Sequence, residues 1–189
     1  MAKLLFIDGC VRPESRTRKL AQLLLEKWQG DVEEVDLDKE RLQPLNQDTL
    51  QLRNELIASQ SFEAPLLRYA AQFKEADVIL MAAPYWDLSI PALVKTYLES
   101  VTVDKMTFYY TPEGFPATLC KAKKLVFVCT AGGPIFSPNY GFDYVKSLAE
   151  TFYNIPEVVC FQAQNLDIVG ADVDAILAET AEAIRAYEW

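Results

Sequence analysis

Eight residues, Pro84-Tyr85-Trp86-Asp87-Leu88-Ser89-Ile90-Pro91, join the apolar run Asp77 to Ala82 to a segment of helical spacing, Ala92 to Glu99. Prolines stiffen both ends of this loop, and its interior offers flat aromatic rings beside backbone N–H groups. Open α/β sheets place their ligands in such strand-to-helix loops. The combination suits a planar ring system with polar edges, and a flavin is the expected occupant. A second loop, Gly9 to Glu14, follows the apolar run Lys3 to Asp8 and leads into Ser15-Arg16-Thr17 at a helix start. Two hydroxyls flanking an arginine, on unpaired N–H groups and the positive end of a helix dipole, make a phosphate site. Ser15 reads equally well as a plain helix cap.

The chain contains no histidine. Ser-His-Asp and Cys-His nucleophile systems, histidine-ligated metals and a histidine base are therefore excluded together. Chemistry must come from a cofactor, a carboxylate or a thiolate. The four cysteines, at positions 10, 120, 129 and 160, show no metal-ligand spacing and read as free thiols of a reducing cytoplasm. A net charge of −9 argues against nucleic acid or an anionic membrane surface as partner, since both require a basic footprint.

The elements that must position these loops are legible in the hydropathy pattern. Strands are expected over Lys3 to Asp8, Val32 to Leu37, Asp77 to Ala82, Leu125 to Thr130 and Val158 to Ala163. Four are nearly continuously apolar, as strands covered on both faces are, and the polar Val32 to Leu37 run reads as an edge. Amphipathic stripes alternate with them: Leu20, Leu23, Leu24 and Trp28; Leu66, Tyr69, Ala70 and Phe73; Phe142, Val145, Ala149 and Phe152; and Val173 through Ile184. The expected fold is a flavodoxin-like three-layer α/β/α sandwich with a five-stranded parallel sheet in the order 2-1-3-4-5, in one domain over residues 1–189. Leu45 to Ser61 is an additional polar helix. Lys105 to Ala117, dense in aromatics, is expected to be a loop serving as a lid or subunit contact.

Loop by loop, the sequence resembles the flavodoxin-like NAD(P)H:quinone oxidoreductases, in particular their FMN-dependent NADH-azoreductase branch. That family carries A-A-P-M-Y-N-F-x-I before an L-K-x-Y-x-D helix; here Ala82-Ala83-Pro84-Tyr85-Trp86-Asp87-Leu88-Ser89-Ile90 precedes Leu93, Lys95, Tyr97 and Glu99. The T-F-x-Y-T segment is Thr107-Phe108-Tyr109-Tyr110-Thr111, and the family's G-K-K-strand-T-S-R-G-G is here Ala122-Lys123-Lys124, the strand, then Thr130-Ala131-Gly132-Gly133. The S-x-S phosphate loop corresponds to Ser15-Arg16-Thr17. The resemblance implies that Gly9, Ser15, Arg16 and Thr17 face the FMN phosphate. It implies that Pro84, Tyr85, Trp86, Asp87 and Leu88 line the ring, with Thr130, Ala131, Gly132 and Gly133 closing its other side. It further implies NADH or NADPH as donor, a quinone or azo compound as acceptor, a cytoplasmic homodimer, and Phe108, Tyr110 and Phe115 near the substrate. No residue is expected to be catalytic in itself, because the flavin carries the chemistry. Three features depart from the pattern: Asp87 stands where the family has asparagine, Ala131 where it has arginine, and the more apolar, stiffer Gly133-Pro134-Ile135-Phe136-Ser137-Pro138 where it has G-I-H-x-x-G.

Two other readings stand beside this one. The same fold could serve as an FMN-binding electron carrier or a non-catalytic module. Alternatively, Cys10, six residues before Arg16 and with Thr17 next, matches the C-x5-R-[ST] pattern of low-molecular-weight tyrosine phosphatases, where the cysteine is a thiolate nucleophile. Pro13 supplies no N–H to such a loop, and the family's Asp-Pro acid is absent from the chain.

Overall fold

A computed structural model describes all 189 residues. Five parallel strands form the central sheet: β1 (Lys3–Asp8), β2 (Asp31–Asp36), β3 (Val78–Ala82), β6 (Lys124–Thr130) and β7 (Glu157–Ala163). Their spatial order is β2-β1-β3-β6-β7, the expected doubly wound order once an inserted pair is set aside. That pair is β4 (Phe108–Tyr110) and β5 (Pro116–Thr118), an antiparallel two-stranded ribbon within the segment read from sequence as a loop. Aromatic and β-branched side chains on either side of Gly114, whose φ is +86°, favour the ribbon, a pattern masked by Pro112 and Pro116.

Alternation along each strand feeds two cores. On one face Leu5, Ile7, Ile79, Met81, Leu125 and Phe127 pack with Tyr69, Phe73, Val94, Tyr97, Val145 and Tyr153 from α4 (Arg68–Glu75), α5 (Ala92–Val101) and the region of α6 (Phe142–Thr151). On the other, Leu4, Phe6, Leu80, Val126 and Val128 meet Leu20, Leu24, Ala181 and Ile184 from α1 (Arg16–Leu25) and α7 (Val173–Ala186). Each fully buried leucine or isoleucine contributes about 1.5–3 kcal/mol of transfer free energy. Beyond the one-turn helix α2 (Leu37–Glu40), the polar helix α3 (Gln47–Ala58) buries no residue and begins with a reciprocal Asn46–Thr49 capping box. A single 3₁₀ turn, Pro65–Leu67, links it towards α4, and it is Leu67 rather than Leu66 that enters the core.

Register sets where the loops emerge. Asp8 pairs with Ala82, and Ala82 with Val128, so β1, β3 and β6 end at one level and release their loops from the same edge of the sheet. β1 has a partner on each side, β2 and β3, reached by crossovers on opposite faces. That is the topological switch point at which such sheets open a crevice.

The ribbon lies elsewhere. It follows the C-terminus of α5 and returns to the start of β6, where Lys121 N–H donates to Lys74 O at 3.0 Å and Lys123 N–H to Asp77 O at 3.1 Å, beside the start of β3. Phe108 is buried and stacks edge-on against Phe152 at 4.8 Å, while Tyr110 and Phe115 are exposed. All three sit at the end of the sheet opposite the crevice, so within one subunit they do not form a lid over it.

Candidate active site

The first loop is organised by a residue the sequence reading passed over. Asp8 is buried at the end of β1, where its carboxylate accepts from Cys10 N–H at 2.9 Å and pairs with the Arg18 guanidinium. Arg18 also donates to the carbonyls of Cys10 and of Arg12, the latter at 2.9 Å. One guanidinium thus fixes the loop's carbonyls inward and leaves its amides outward. The N–H groups of Val11, Arg12, Glu14, Arg16 and Thr17 have no partner within the chain. Ser15 caps α1, its hydroxyl accepting from Arg18 N–H at 3.2 Å. Thr17, buried, shares a 2.6 Å hydrogen bond with the Thr130 hydroxyl and so ties α1 to the end of β6.

The loop after β3 turns on itself. Trp86 and Ser89 exchange both backbone hydrogen bonds, at 2.9 and 2.8 Å, around Asp87 and Leu88, whose φ values are +50° and +69°. This is the two-residue hairpin pattern with both central residues in the left-handed region. The Tyr85 N–H is already committed to Thr130 O at 2.9 Å, and the Trp86 N–H to Ser89. Free amides in this loop are therefore those of Asp87, Leu88 and Ile90. The Ser89 hydroxyl donates to Tyr140 O at 3.0 Å, anchoring the turn to the loop before α6. The Tyr85 hydroxyl is buried without a partner, and burial raises its pKa above the ordinary phenol range.

After β6, residues 131–133 are zipped to residues 165–167: Leu166 N–H donates to Ala131 O at 3.2 Å, Asp167 N–H to Gly132 O at 2.8 Å and Asn165 N–H to Gly133 O at 3.0 Å. The N–H groups of Gly132 and Gly133 stay free. The Asp167 carboxylate crosses the mouth of the crevice to Arg16, 2.9 Å away.

These three loops enclose one cleft of about 990 Å³. It brings together Ser15, Arg16 and Thr17 from the first loop, Pro84 to Asp87 from the second, and Thr130, Ala131 and Gly132 from the third. Arg12, Leu166 and Asp167 also line it, none of which the sequence reading singled out. Leu88 projects outward at 50% exposure, and a side chain at Gly133 would meet nothing. Gly9 lies behind the cleft wall, where a Cβ would collide with Val94 Cγ2 and lie 2.9 Å from Ala82 O. Trp86 and Asp87 form the wall between this cleft and a second, more apolar one of about 680 Å³, which Ile90, Leu93, Tyr140 and Tyr144 help to line.

The donor set fits a mononucleotide. Unpaired amides at a helix N-terminus suit a phosphate, and the Asp87, Gly132 and aromatic groups opposite suit a polar-edged ring. It does not fit a thiolate nucleophile. Cys10 is buried, its thiol lies 3.9 Å from Ala82 O, and burial pushes its pKa up to about 12. The phosphatase reading of the C-x5-R-T spacing is thereby overturned, because the sulfur points into the core and stays protonated at neutral pH.

A doubly wound sheet with its cleft at the switch point, assembled from the loops after three adjacent strands, defines the flavodoxin-like class. The Flavodoxin_2 family, described as a flavodoxin-like fold, matches residues 2–187. An FMN-dependent NADH:quinone oxidoreductase 2 of Clostridium acetobutylicum is 34% identical over 194 residues, covering 96% of each chain. An FMN-dependent NADH:quinone oxidoreductase of Lachnoclostridium phytofermentans is 34% identical over 191 residues at the same coverage. Among solved structures, an azoreductase from Bacillus anthracis superposes with a TM-score of 0.81 at 25% identity, over 99% of this chain and 100% of that one. The chain belongs to the Flavodoxin_2 family and, within it, to the FMN-dependent NADH:quinone oxidoreductases that these relatives represent. No helix is long and apolar enough to cross a membrane.

Proposed function

We propose that this protein binds FMN in the larger cleft and transfers two electrons from NADH to a quinone or a related acceptor. The observation that carries the reading is the convergence of three loops' unpaired amides on that one cleft. Bound there, FMN supplies the hydride chemistry, accepting from the donor and passing electrons to the acceptor. The chain's own residues bind and orient. The N–H groups of Val11, Arg12, Glu14, Arg16 and Thr17 and the Ser15 hydroxyl would hold the phosphate, while Arg18 keeps the Cys10 and Arg12 carbonyls turned away from it. Trp86 supplies a flat face, and the Asp87 amide meets the ring's polar edge. Gly132, with no side chain, lets its N–H approach from the other side.

The aromatic second cleft, sharing Trp86 and Asp87 with the first, supports an uncharged planar acceptor docked next to the ring. An azo compound would enter the same way. Assembly as a homodimer is part of this proposal. It would allow Tyr110 and Phe115, exposed at the far end of one subunit, to reach the partner's site.

The test is the visible spectrum of purified protein, before and after adding FMN and then NADH under nitrogen. Flavin bands that bleach with NADH and return with a quinone support the reading. A protein that neither carries nor takes up FMN sinks it. Trp86→Ala should weaken FMN binding about tenfold, the loss expected of one stacked ring; unchanged affinity would remove Trp86 from the site.

A further inference from the structure

Five charged side chains line the larger cleft: Arg12, Arg16, Glu14, Asp87 and Asp167. Glu14 is paired at 2.6 Å with Lys19, which does not itself line the cleft. Of the two cations, Arg12 has no ion-pair partner, whereas Arg16 is held by Asp167 at 2.9 Å. The backbone of Asp167 is anchored. Its N–H is bonded to Gly132 O at 2.8 Å, in the middle of the three-bond zipper between residues 131–133 and 165–167. Its carboxylate lies so close over Gly132 that a Cβ there would overlap Oδ2. A carboxylate on an anchored backbone therefore reaches from the Gly132 side of the cleft to the start of α1 and occupies one of its two arginines.

We propose that Asp167 is an internal competitor for the phosphate of the bound mononucleotide, holding Arg16 across the cleft mouth so that a phosphate-bearing ligand must take Arg16 from it. The inference rests on the mononucleotide reading given above. The physical reason is exchange of partners: an arginine prefers a dianionic phosphate to an exposed carboxylate, but the gain is reduced by the pair that must be broken. Asp167 thus lowers affinity for phosphate-bearing ligands without affecting the ring, and it makes the cofactor more readily released. The ion pair is substantially exposed, with side chains 41% and 68% accessible, so its effect is modest.

The experiment compares dissociation constants for FMN and for riboflavin, which lacks the phosphate, by flavin fluorescence quenching. Asp167→Asn should tighten FMN about two- to five-fold, the range an exposed ion pair allows, and leave riboflavin unchanged. Asp167→Glu, which keeps the charge, should restore the wild-type ratio of riboflavin's constant to FMN's. In an Arg16→Gln background, Asp167→Asn should no longer raise that ratio, which separates release of Arg16 from a general gain in positive potential. Wild-type protein that binds FMN but shows an unchanged or reduced ratio in Asp167→Asn overturns the inference alone. Wild-type protein that binds neither flavin overturns the cofactor reading and the inference with it.

Discussion

Replacing Gly9 with alanine tests whether this residue serves the ligand or the scaffold. A Cβ at position 9 would overlap Val94 Cγ2, on the buried face of α5, and lie 2.9 Å from the Ala82 carbonyl. That same carbonyl accepts the Gly9 N–H at 2.8 Å, so the backbone cannot retreat without losing the bond. Overpacking of this kind costs about 1–3 kcal/mol. The backbone at Gly9 is not in the left-handed region, so alanine recovers some 0.4–1 kcal/mol through a less disordered unfolded chain. The net expectation is a loss of about 1–2 kcal/mol. Val94→Ala alone should cost about 1.5–2.5 kcal/mol for two buried methyl groups and the void they leave. Because it removes the clashing methyl, the double variant should be more stable than the sum of the single ones by about 1 kcal/mol. Urea denaturation at constant m-value measures all three. The folded Gly9→Ala protein should keep its affinity for FMN within about twofold, a limit set by ordinary surface-level effects. Unchanged stability with a selective loss of FMN binding would refute the packing account and place Gly9 at the phosphate.

Three further outcomes follow from the same coordinates. Arg18→Ala leaves the buried Asp8 carboxylate without its partner and should destabilise the fold by about 3–5 kcal/mol, with Asp8→Asn recovering part of the loss; additive losses in the double variant would contradict the pairing. Leu88→Gly relieves a left-handed, half-exposed leucine in a two-residue turn and should raise the urea midpoint by the equivalent of about 0.5–1 kcal/mol, whereas a lowered midpoint would mean that Leu88 packs in solution. Burial raises the thiols of Cys10, Cys120 and Cys160 from 9.0 to about 12, so above pH 9 the unfolded chain releases protons that the folded one retains. Stability conferred by these groups is whole below pH 9 and falls towards pH 12 by up to about 1.4 kcal/mol per unit per thiol. Stability that stays flat over that range, followed by urea midpoint, would show the thiols to be solvated.

Strand existence and order were legible because four near-continuous apolar runs and one more polar edge run, alternating with amphipathic stripes, leave few ways to bury them. The first strand, Lys3–Asp8, begins and ends where the hydropathy pattern places it, and the others differ by a residue or so at their ends. The ribbon at Phe108–Tyr110 and Pro116–Thr118 was not legible as such, since three-residue strands carry too little periodicity to outweigh flanking prolines. Residue types also announced the ligand loops: prolines, paired aromatics and helix-capping hydroxyls have local preferences that operate before tertiary contacts form.

What only the tertiary structure decided is how those residues are used. Arg18 and Asp167 matter because of partners 10 and 151 residues away in sequence, Asp8 and Arg16, and no local pattern marks a side chain by a distant partner. Cys10 carries a suggestive spacing to Arg16, yet spacing does not specify which way a thiol points, and packing against the β3 end turned it inward. Gly9 looks like a phosphate-loop glycine and proves to be the space into which Val94 fits. Composition and periodicity, which act along the chain, determined the sheet and where its cleft would open. Burial, ion pairing and steric fit act between residues that only the fold brings together, and they decided which groups face that cleft.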